Sequence, residues 1–284
     1  MFRRIGIISR KDREEALRKV SQICDHLLEK GVEVFLEGEV SELLGRPGLG
    51  CDLREVEVDL VVTVGGDGTI LRSSSLLKRP ETPLLAVNMG MRGFLTEVEP
   101  EEALEAIDRV FEGDYALEEH FKLSSTSKNS GEVFQDALNE VLVSSSLPSK
   151  TLRLRLYADG VEVFDIQADG IIVATPTGST AYSLSAGGSI LAPSVEAMIV
   201  TTLYPLSPFR SMVVPLMSVV EVELTKPECE ALVVVDGMIQ GKMRQGDRVA
   251  VWRSDHKATF IRFQSFYSRL KNRLLFPYKG NRDE

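Results

Sequence analysis

Between Arg4 and Phe111 short apolar runs alternate with stretches of helical periodicity, and few folds accommodate that alternation. Arg4–Ser9 reads as a short buried strand. Ala16, Leu17, Val20, Ile23, Cys24, Leu27 and Leu28 follow at spacings of three and four, which places them on one face of a helix. Gly31 stops that helix, Val32–Leu36 alternates as a second strand, and Asp59–Val64 gives a third with the character of a strand buried on both faces. A helix from about Thr69, a strand at Leu84–Asn88 and a helix at Glu101–Phe111 opened by Pro100 complete the series. Strands separated by helices pair in parallel through right-handed crossovers, so residues 1–118 are expected to form an open α/β domain.

Beyond residue 118 the texture changes. Leu152–Tyr157, Val161–Ile166, Gly170–Ala174, Met212–Pro215, Val219–Leu224, Leu232–Val235 and Arg248–Arg253 are short and bounded by turn residues. "YADGVEV" carries an Asp-Gly pair suited to a tight hairpin turn, and "RQGDRVAVWR" repeats the pattern at Gly246-Asp247. A mainly-β domain is expected over 119–258, leaving 259–284 as a C-terminal segment. Within it "FQSFYSRLKNRLL" sets Phe263, Phe266, Tyr267, Leu270 and Leu274 on one helical face, with Arg269, Lys271 and Arg273 elsewhere. Such a face suits packing on the body of the protein better than a membrane surface, because the chain is acidic and the helix short.

A net charge of -9 argues against bulk binding to nucleic acid or anionic membrane, both of which are recognised through Lys and Arg. The three cysteines lack CxxC spacing and the three histidines are scattered, so neither a disulfide framework nor a zinc site is expected. "MFRRIGIISRKDREE" has no signal-like apolar stretch, and no window approaches the ~18 apolar residues of a membrane span. A reducing cytoplasm is the expected location.

Two stretches carry chemistry. In "VVTVGGDGTILR", Val61–Arg72, an apolar strand ends in Gly65, Gly66, Asp67 and Gly68. Glycines there free the backbone and clear space for a close ligand, while the following helix offers unpaired N–H groups, which together cradle phosphate. The alternative is a tight strand-to-helix turn with a capping Asp. A carboxylate set among anion-binding amides points to a chemical task for Asp67, such as accepting a proton from an attacking hydroxyl or helping to hold Mg2+. There is no GxxxxGK[ST] and no HRD or DFG set, so neither a Walker loop nor a protein kinase is present. The second stretch, Ala168–Ile190, runs a strand into Thr175-Pro176-Thr177-Gly178-Ser179-Thr180 and a short helix carrying Ala181, Tyr182 and Ser185. Helix capping explains any one of these residues, but Asp169, Thr180 and Ser185 together supply more hydrogen-bonding capacity than a helix start needs.

"GGDGT" (65–69), "VNMGMRGFL" (87–95), "LNE" (138–140), "ADGIIVATPTGSTAYSLSAGG" (168–188) and "VDG" (235–237) stand in the order and approximate spacing of NAD kinases, which the chain resembles from residue 5 to about 265. GGDGT alone is shared with diacylglycerol and sphingosine kinases, whereas TPTGSTAY after Asn-Glu is far more specific. The resemblance implies an enzyme that transfers the terminal phosphoryl group of ATP or polyphosphate, with Mg2+ or another divalent cation, to the 2′-hydroxyl of the adenosine ribose of NAD. It implies NAD in a cleft between the two domains and a C-terminal segment returning to the first.

By the same resemblance Asp67 orients and deprotonates the hydroxyl, with Gly68 beside the ribose, Asn139 and Glu140 on the ribose hydroxyls, and Phe94 at the adenine. Thr180, Ala181, Tyr182 and Ser185 line the adenine and nicotinamide-side pockets, and Lys150 is a further substrate contact. Asp169 reaches the dinucleotide of a neighbouring subunit in a homodimer or homotetramer. Gly65, Gly66, Thr69 and Arg72 cradle the donor phosphates, Arg72 lying about one turn past the loop and able to offer a bidentate fork. Two residues depart from the pattern: Met238 replaces a usual Gln, and Leu206 stands where many relatives carry His. The competing readings are a lipid kinase of the diacylglycerol type and a non-catalytic NAD(P)-binding sensor.

Overall fold

Three strands of the first region, Arg4–Ser9, Leu60–Gly65 and Leu84–Asn88, are apolar enough to be covered on both faces. A computed structural model describes residues 2–90, 93–227 and 230–272. Met91 and Arg92 of "VNMGMRGFL", Cys229, and the end of the C-terminal segment with Arg273 and Leu274 lie outside the described residues. The chain divides into two units, Met1–Glu119 with Ala258–Glu284, and His120–Lys257.

In the first unit β1 (Arg4–Ser9), α1 (Glu14–Glu29), β2 (Glu33–Glu37), α2 (Gly38–Leu43), β3 (Gly50–Cys51), β4 (Leu60–Gly65), α3 (Asp67–Ser74), β5 (Leu84–Asn88) and α4 (Ala103–Glu112) follow one another. The strands pair in parallel in the order β3-β2-β1-β4-β5. Every residue of β4 and of β5 is buried, as the unbroken apolar runs require. Ala16, Val20, Ile23, Cys24 and Leu27 of α1 join Ala103, Ala106, Ile107 and Val110 of α4 in one core with Ile5, Ile7, Val62 and Leu85. Gly113 closes α4 at φ 84°, a left-handed cap that a residue with a Cβ takes only under strain.

The second unit is built from strands: β6 (Ala116–Ser127, whose start belongs to the first unit), β7 (Glu140–Ser145), β8 (Leu152–Ala158), β9 (Val161–Ala168) and β10 (Gly170–Ala174). A short helix α5 (Tyr182–Ser185) precedes β11 (Ala197–Leu203), β12 (Ser211–Pro215), β13 (Val220–Pro227), β14 (Ala231–Val235), β15 (Met238–Met243) and β16 (Arg248–Arg262). One antiparallel sheet runs β12-β11-β10-β7-β14-β15, and another places β13 between β16 and β8, with β9 beyond. Leu154, Val222 and Val249 from the second of these meet Val143, Val173, Val200 and Val233 from the first in a shared core. The Asp159-Gly160 hairpin turn takes φ 50° and 79°, the geometry that dipeptide favours.

Five strands escape the sequence reading: β3, β6, β7, β11 and β15. β11, "AMIVTTL", is buried at all seven positions and shows no alternation; β7 and β15 are hidden beside turn residues. Among the described residues β16 continues to Arg262, Phe260 pairs in parallel with Leu84 of β5, and Phe266–Leu270 forms a helix, α6. Arg269, expected away from the packed face, is instead buried. No helix among the described residues is long and apolar enough to cross a membrane.

Candidate active site

The glycines after β4 have different reasons to be glycine. A Cβ on Gly65 would stand 2.1 Å from Thr69 Oγ1, so this position is fixed by packing of the turn on its own helix. At Gly66 and Gly68 nothing lies within 4 Å of where a Cβ would be. Those two leave open space over the start of α3, where helix N–H groups lack intrahelical partners. Thr69 itself is buried and Gly68 exposed.

Asp67 is the first residue of α3, and its carboxylate is held from the side. Phe94 N–H donates to Oδ2 at 2.9 Å and Leu95 N–H to Oδ1 at 3.0 Å. These two amides, one on each oxygen, fix the direction of the carboxylate. Gly93 makes this approach possible, since a Cβ there would lie 3.2 Å from Asp67 Oδ1 and 2.5 Å from Thr96 Oγ1. Phe94 is half-buried, its ring edge-on to Phe266 at 5.8 Å between centroids.

Arg72 departs from expectation. Its guanidinium forks onto the Glu37 carboxylate, one arm at 3.0 Å, and donates to the Ser9 carbonyl at 2.8 Å. Burial works to raise the Glu37 pKa, but Arg72 and Lys11 outweigh it and hold the carboxyl below its usual value. The fork is therefore engaged by Glu37 rather than held open over the glycine loop. Arg10, given no role from the sequence, pairs with Asp12 and has Nη1 3.5 Å from the Met89 carbonyl.

The second unit centres on Leu138-Asn139-Glu140. Asp236 Oδ2 accepts from Leu138 N–H at 2.8 Å, and Oδ1 accepts from Asn139 N–H at 2.8 Å and Glu140 N–H at 3.1 Å. Asp236 and Gly237 form the β14–β15 turn at φ 47° and 80°, a conformation that swings the carboxylate back beneath the strand. From the other side Thr175 N–H donates to the Asn139 carbonyl at 2.9 Å and Thr175 Oγ1 to the Leu138 carbonyl at 2.6 Å. Gly178 rests so closely on Asn139 that a Cβ would come within 2.0 Å of its carbonyl oxygen.

Asn139 and Glu140 are buried, yet Asn139 Oδ1 and Glu140 Oε2 have no hydrogen-bond partner. Two adjacent orphaned acceptors are costly unless a ligand brings donors to them. Burial and the neighbouring Asp236 charge push the Glu140 carboxyl up to about 8. Burial likewise raises Asp236, against its three amide donors and the Lys122 charge.

Around this strand Thr180 Oγ1 donates to the Thr177 carbonyl at 2.9 Å, and Thr177 Oγ1 meets the buried His120 Nδ1 at 2.6 Å. Ala181 is half-buried, while Tyr182 and Ser185 are exposed. Asp169 is elsewhere: it precedes β10 while Thr175 follows it, a separation of about 20 Å along the strand. Lys150 is exposed on the connection leaving that same end of β7, where Ser145 N–H donates to the Asp169 carbonyl. Met238 and Leu206 are both exposed.

Sequence reasoning named Asn139, Glu140 and the TPTGSTAY loop, but gave no role to Asp236, His120 or Lys122. The "VDG" turn was the available signal for Asp236, a carboxylate at a tight turn before a buried strand partner.

The raised Glu140 pKa gives a stability prediction. Glu140 ionises near 4.5 when unfolded and near 8 when folded, so the unliganded protein loses stability as pH rises between those values. Glu140→Gln removes that slope. Denaturant unfolding at pH 5 and pH 8.5 should show the variant gaining on the wild type by a few kcal/mol; parallel behaviour at both pH values would mean the carboxyl is not strongly perturbed.

Comparison with known proteins converges on one family. Residues 5–115 match the ATP-NAD kinase N-terminal domain and residues 138–263 the ATP-NAD kinase C-terminal domain. An NAD kinase of Methanopyrus kandleri is 45% identical over 277 residues, 95% of this chain and 97% of that one. An NAD kinase of Methanothermobacter thermautotrophicus is 40% identical over 280 residues, 96% of each. Among solved structures, an NAD kinase from Archaeoglobus fulgidus in complex with ATP superposes with a TM-score of 0.77 at 32% identity, over 95% of this chain and 98% of that one. Yeast NADH kinase complexed with NADH gives 0.88 at 26% identity, over 99% and 90%. The chain belongs to the NAD kinase family.

Proposed function

We propose that this chain phosphorylates the 2′-hydroxyl of the adenosine ribose of NAD with the terminal phosphoryl group of ATP, giving NADP. The observation that carries the reading is the pair of orphaned acceptors, Asn139 Oδ1 and Glu140 Oε2. A ribose offers two O–H donors, and Asn139 and Glu140, consecutive in the chain, each hold an unpartnered acceptor. The relatives' names and the ATP-bound neighbour support NAD as acceptor and ATP as donor. Polyphosphate is a second donor to be assayed, and nothing favours a lipid substrate or a non-catalytic sensor.

In this reading Asp67, its carboxylate oriented by the Phe94 and Leu95 amides, accepts a hydrogen bond from the attacking hydroxyl. The hydroxyl oxygen bonds to the terminal phosphorus, the bridge to the leaving ADP breaks, and the released proton passes to the carboxylate. Catalysis is mainly positioning and charge stabilisation, because phosphoryl transfer asks little covalent work of the protein. Gly66 and Gly68 admit donor phosphates to the start of α3, with Gly65 and Thr69 shaping the turn. Arg72 serves this cradle through Glu37 and Ser9 rather than by a free fork. Phe94, Thr180, Ala181, Tyr182, Ser185 and Lys150 are proposed contacts of the dinucleotide.

Among the described residues no group of three or more His, Cys, Asp or Glu is placed to hold a metal ion. The Asp67 carboxylate is an oxygen ligand of the kind Mg2+ takes, and an ion carried on the donor's phosphates would neutralise their charge. We further propose self-association to a dimer or tetramer, supported by the place of Asp169 at the far end of β10 from Thr175, where it would serve a neighbouring copy. A cytoplasmic location accords with Cys24 and Cys51 being free thiols.

Two substitutions test the assignment. Asp67→Asn keeps size but loses charge, so turnover should fall at least ~100-fold while NAD affinity changes little; normal turnover would remove Asp67 from the mechanism. Glu140→Ala should weaken NAD by ~1.5–3 kcal/mol and leave ATP binding unchanged, measured by separate titrations. Equal weakening of both ligands would make Glu140 structural.

A further inference from the structure

We propose that Arg262 is a positioning residue for Asp67, acting through the 93–97 loop that supplies both backbone donors to its carboxylate. This rests on the reading of Asp67 as the group that orients the attacking hydroxyl.

Arg262 ends β16 and is buried. Its Nη1 donates to the Leu95 carbonyl at 2.8 Å and to Glu97 Oε2 at 3.2 Å, and its Nε to Glu118 Oε1 at 3.0 Å. Glu97, whose side chain is wholly buried, spends its other oxygen on the chain that follows Arg262: Oε1 accepts from Phe263 N–H at 2.7 Å and Gln264 N–H at 2.9 Å. Arg269 of α6 closes the cluster, donating to Glu118 Oε1 and to the Gln264 carbonyl, both at 2.7 Å, with Glu97 Oε2 3.7 Å away. Two arginines and two glutamates thus lock the C-terminal segment to residues 95–97.

A buried ion cluster is a poor source of stability, since apolar side chains of similar volume hold a segment as well or better. What it adds is direction. Burial pushes the Arg262 pKa down, Arg269 adds to that, and Glu97 and Glu118 oppose it. The guanidinium's planar fork fixes Leu95 in a way a single ammonium does not. One residue's carbonyl faces Arg262 while its own N–H faces Asp67 Oδ1, so a shift of Leu95 moves the carboxylate. Phe266 steadies the neighbouring donor, since its ring meets that of Phe94, whose N–H holds Oδ2. The loop between has little slack: Thr96 Oγ1 donates to the Gly93 carbonyl at 3.2 Å, and Gly93 has no room for a Cβ.

The test measures kcat and KM for NAD in the full chain with ATP and Mg2+, alongside circular dichroism and thermal melting. Arg262→Lys keeps a cation but not the fork, and its kcat should fall about tenfold to a hundredfold with KM for NAD within about twofold. Added guanidinium ion should restore part of the loss in Arg262→Ala. Folded Arg262→Lys with wild-type kcat overturns the proposal, as does a loss that tracks the folded fraction and resists guanidinium. Should neither Arg262 variant fold, Phe266→Leu keeps every residue of the ion cluster and loosens the Phe94 ring, together with the Tyr267 ring that Phe266 also meets. A several-fold lower kcat in it supports the proposal, and an unchanged kcat overturns it. Asp67→Asn is assayed in parallel. If it is inactive and Arg262→Lys is not impaired, the positioning role alone fails; if it turns over normally, the role of Asp67 and the positioning role fall together.

Discussion

Asp236 stands at φ 47° in a two-residue turn and gives its carboxylate to three consecutive backbone amides, those of Leu138, Asn139 and Glu140. Much of the second unit's chemistry depends on that grip. With the amides satisfied from below and the Leu138 and Asn139 carbonyls satisfied by Thr175, the strand has no freedom left in its backbone. The polar side-chain atoms Asn139 Oδ1 and Glu140 Oε2 are then held unpaired in a buried setting. The same negative charge that fixes the strand also raises the Glu140 pKa, so the clamp and the ligand-seeking carboxyl are electrostatically linked.

The first unit uses a related device with the roles exchanged. There the carboxylate being held, that of Asp67, is the one proposed to receive the proton, and the amides of Phe94 and Leu95 do the holding. In both units a carboxylate bonded to successive N–H groups ties a functional element to a segment distant in sequence, 27 and 28 residues away for Asp67 and 96 to 98 for Asp236. Glycine is required at the close approaches: Gly93 beside Asp67 and Gly178 against Asn139. Gly66 and Gly68 are different, since they face open space and serve access instead of packing.

The α/β first region and the hairpins at Asp159-Gly160 were legible because they rest on local rules, helical periodicity and turn dipeptides that need φ > 0. β11 was not legible, because a strand covered on both faces loses the alternation that marks a strand. The glycine turn after β4 and the Asn139-Glu140 pair could be singled out as candidates from residue type and order. The engagement of Arg72 by Glu37 could not, since it joins residues 35 apart that nothing local relates. Arg269 misled for a similar reason: a helical wheel assigns arginine to water, and only the fold reveals Glu118 and Glu97 waiting for it. Asp236 lay in a recognised turn, but its partners were 96 to 98 residues back.

Two orphaned acceptors proposed to meet ribose hydroxyls, one of them a carboxyl near 8, make a thermodynamic commitment. Hydroxyl donors favour the ionised form of Glu140, so binding NAD at neutral pH should drive its proton into solvent. Isothermal calorimetry of NAD binding at pH 7, run in two buffers of different ionisation enthalpy, reads that proton directly. The account predicts a net release approaching one proton per NAD bound, abolished in Glu140→Gln. Tight NAD binding with no buffer dependence in the wild type would contradict it.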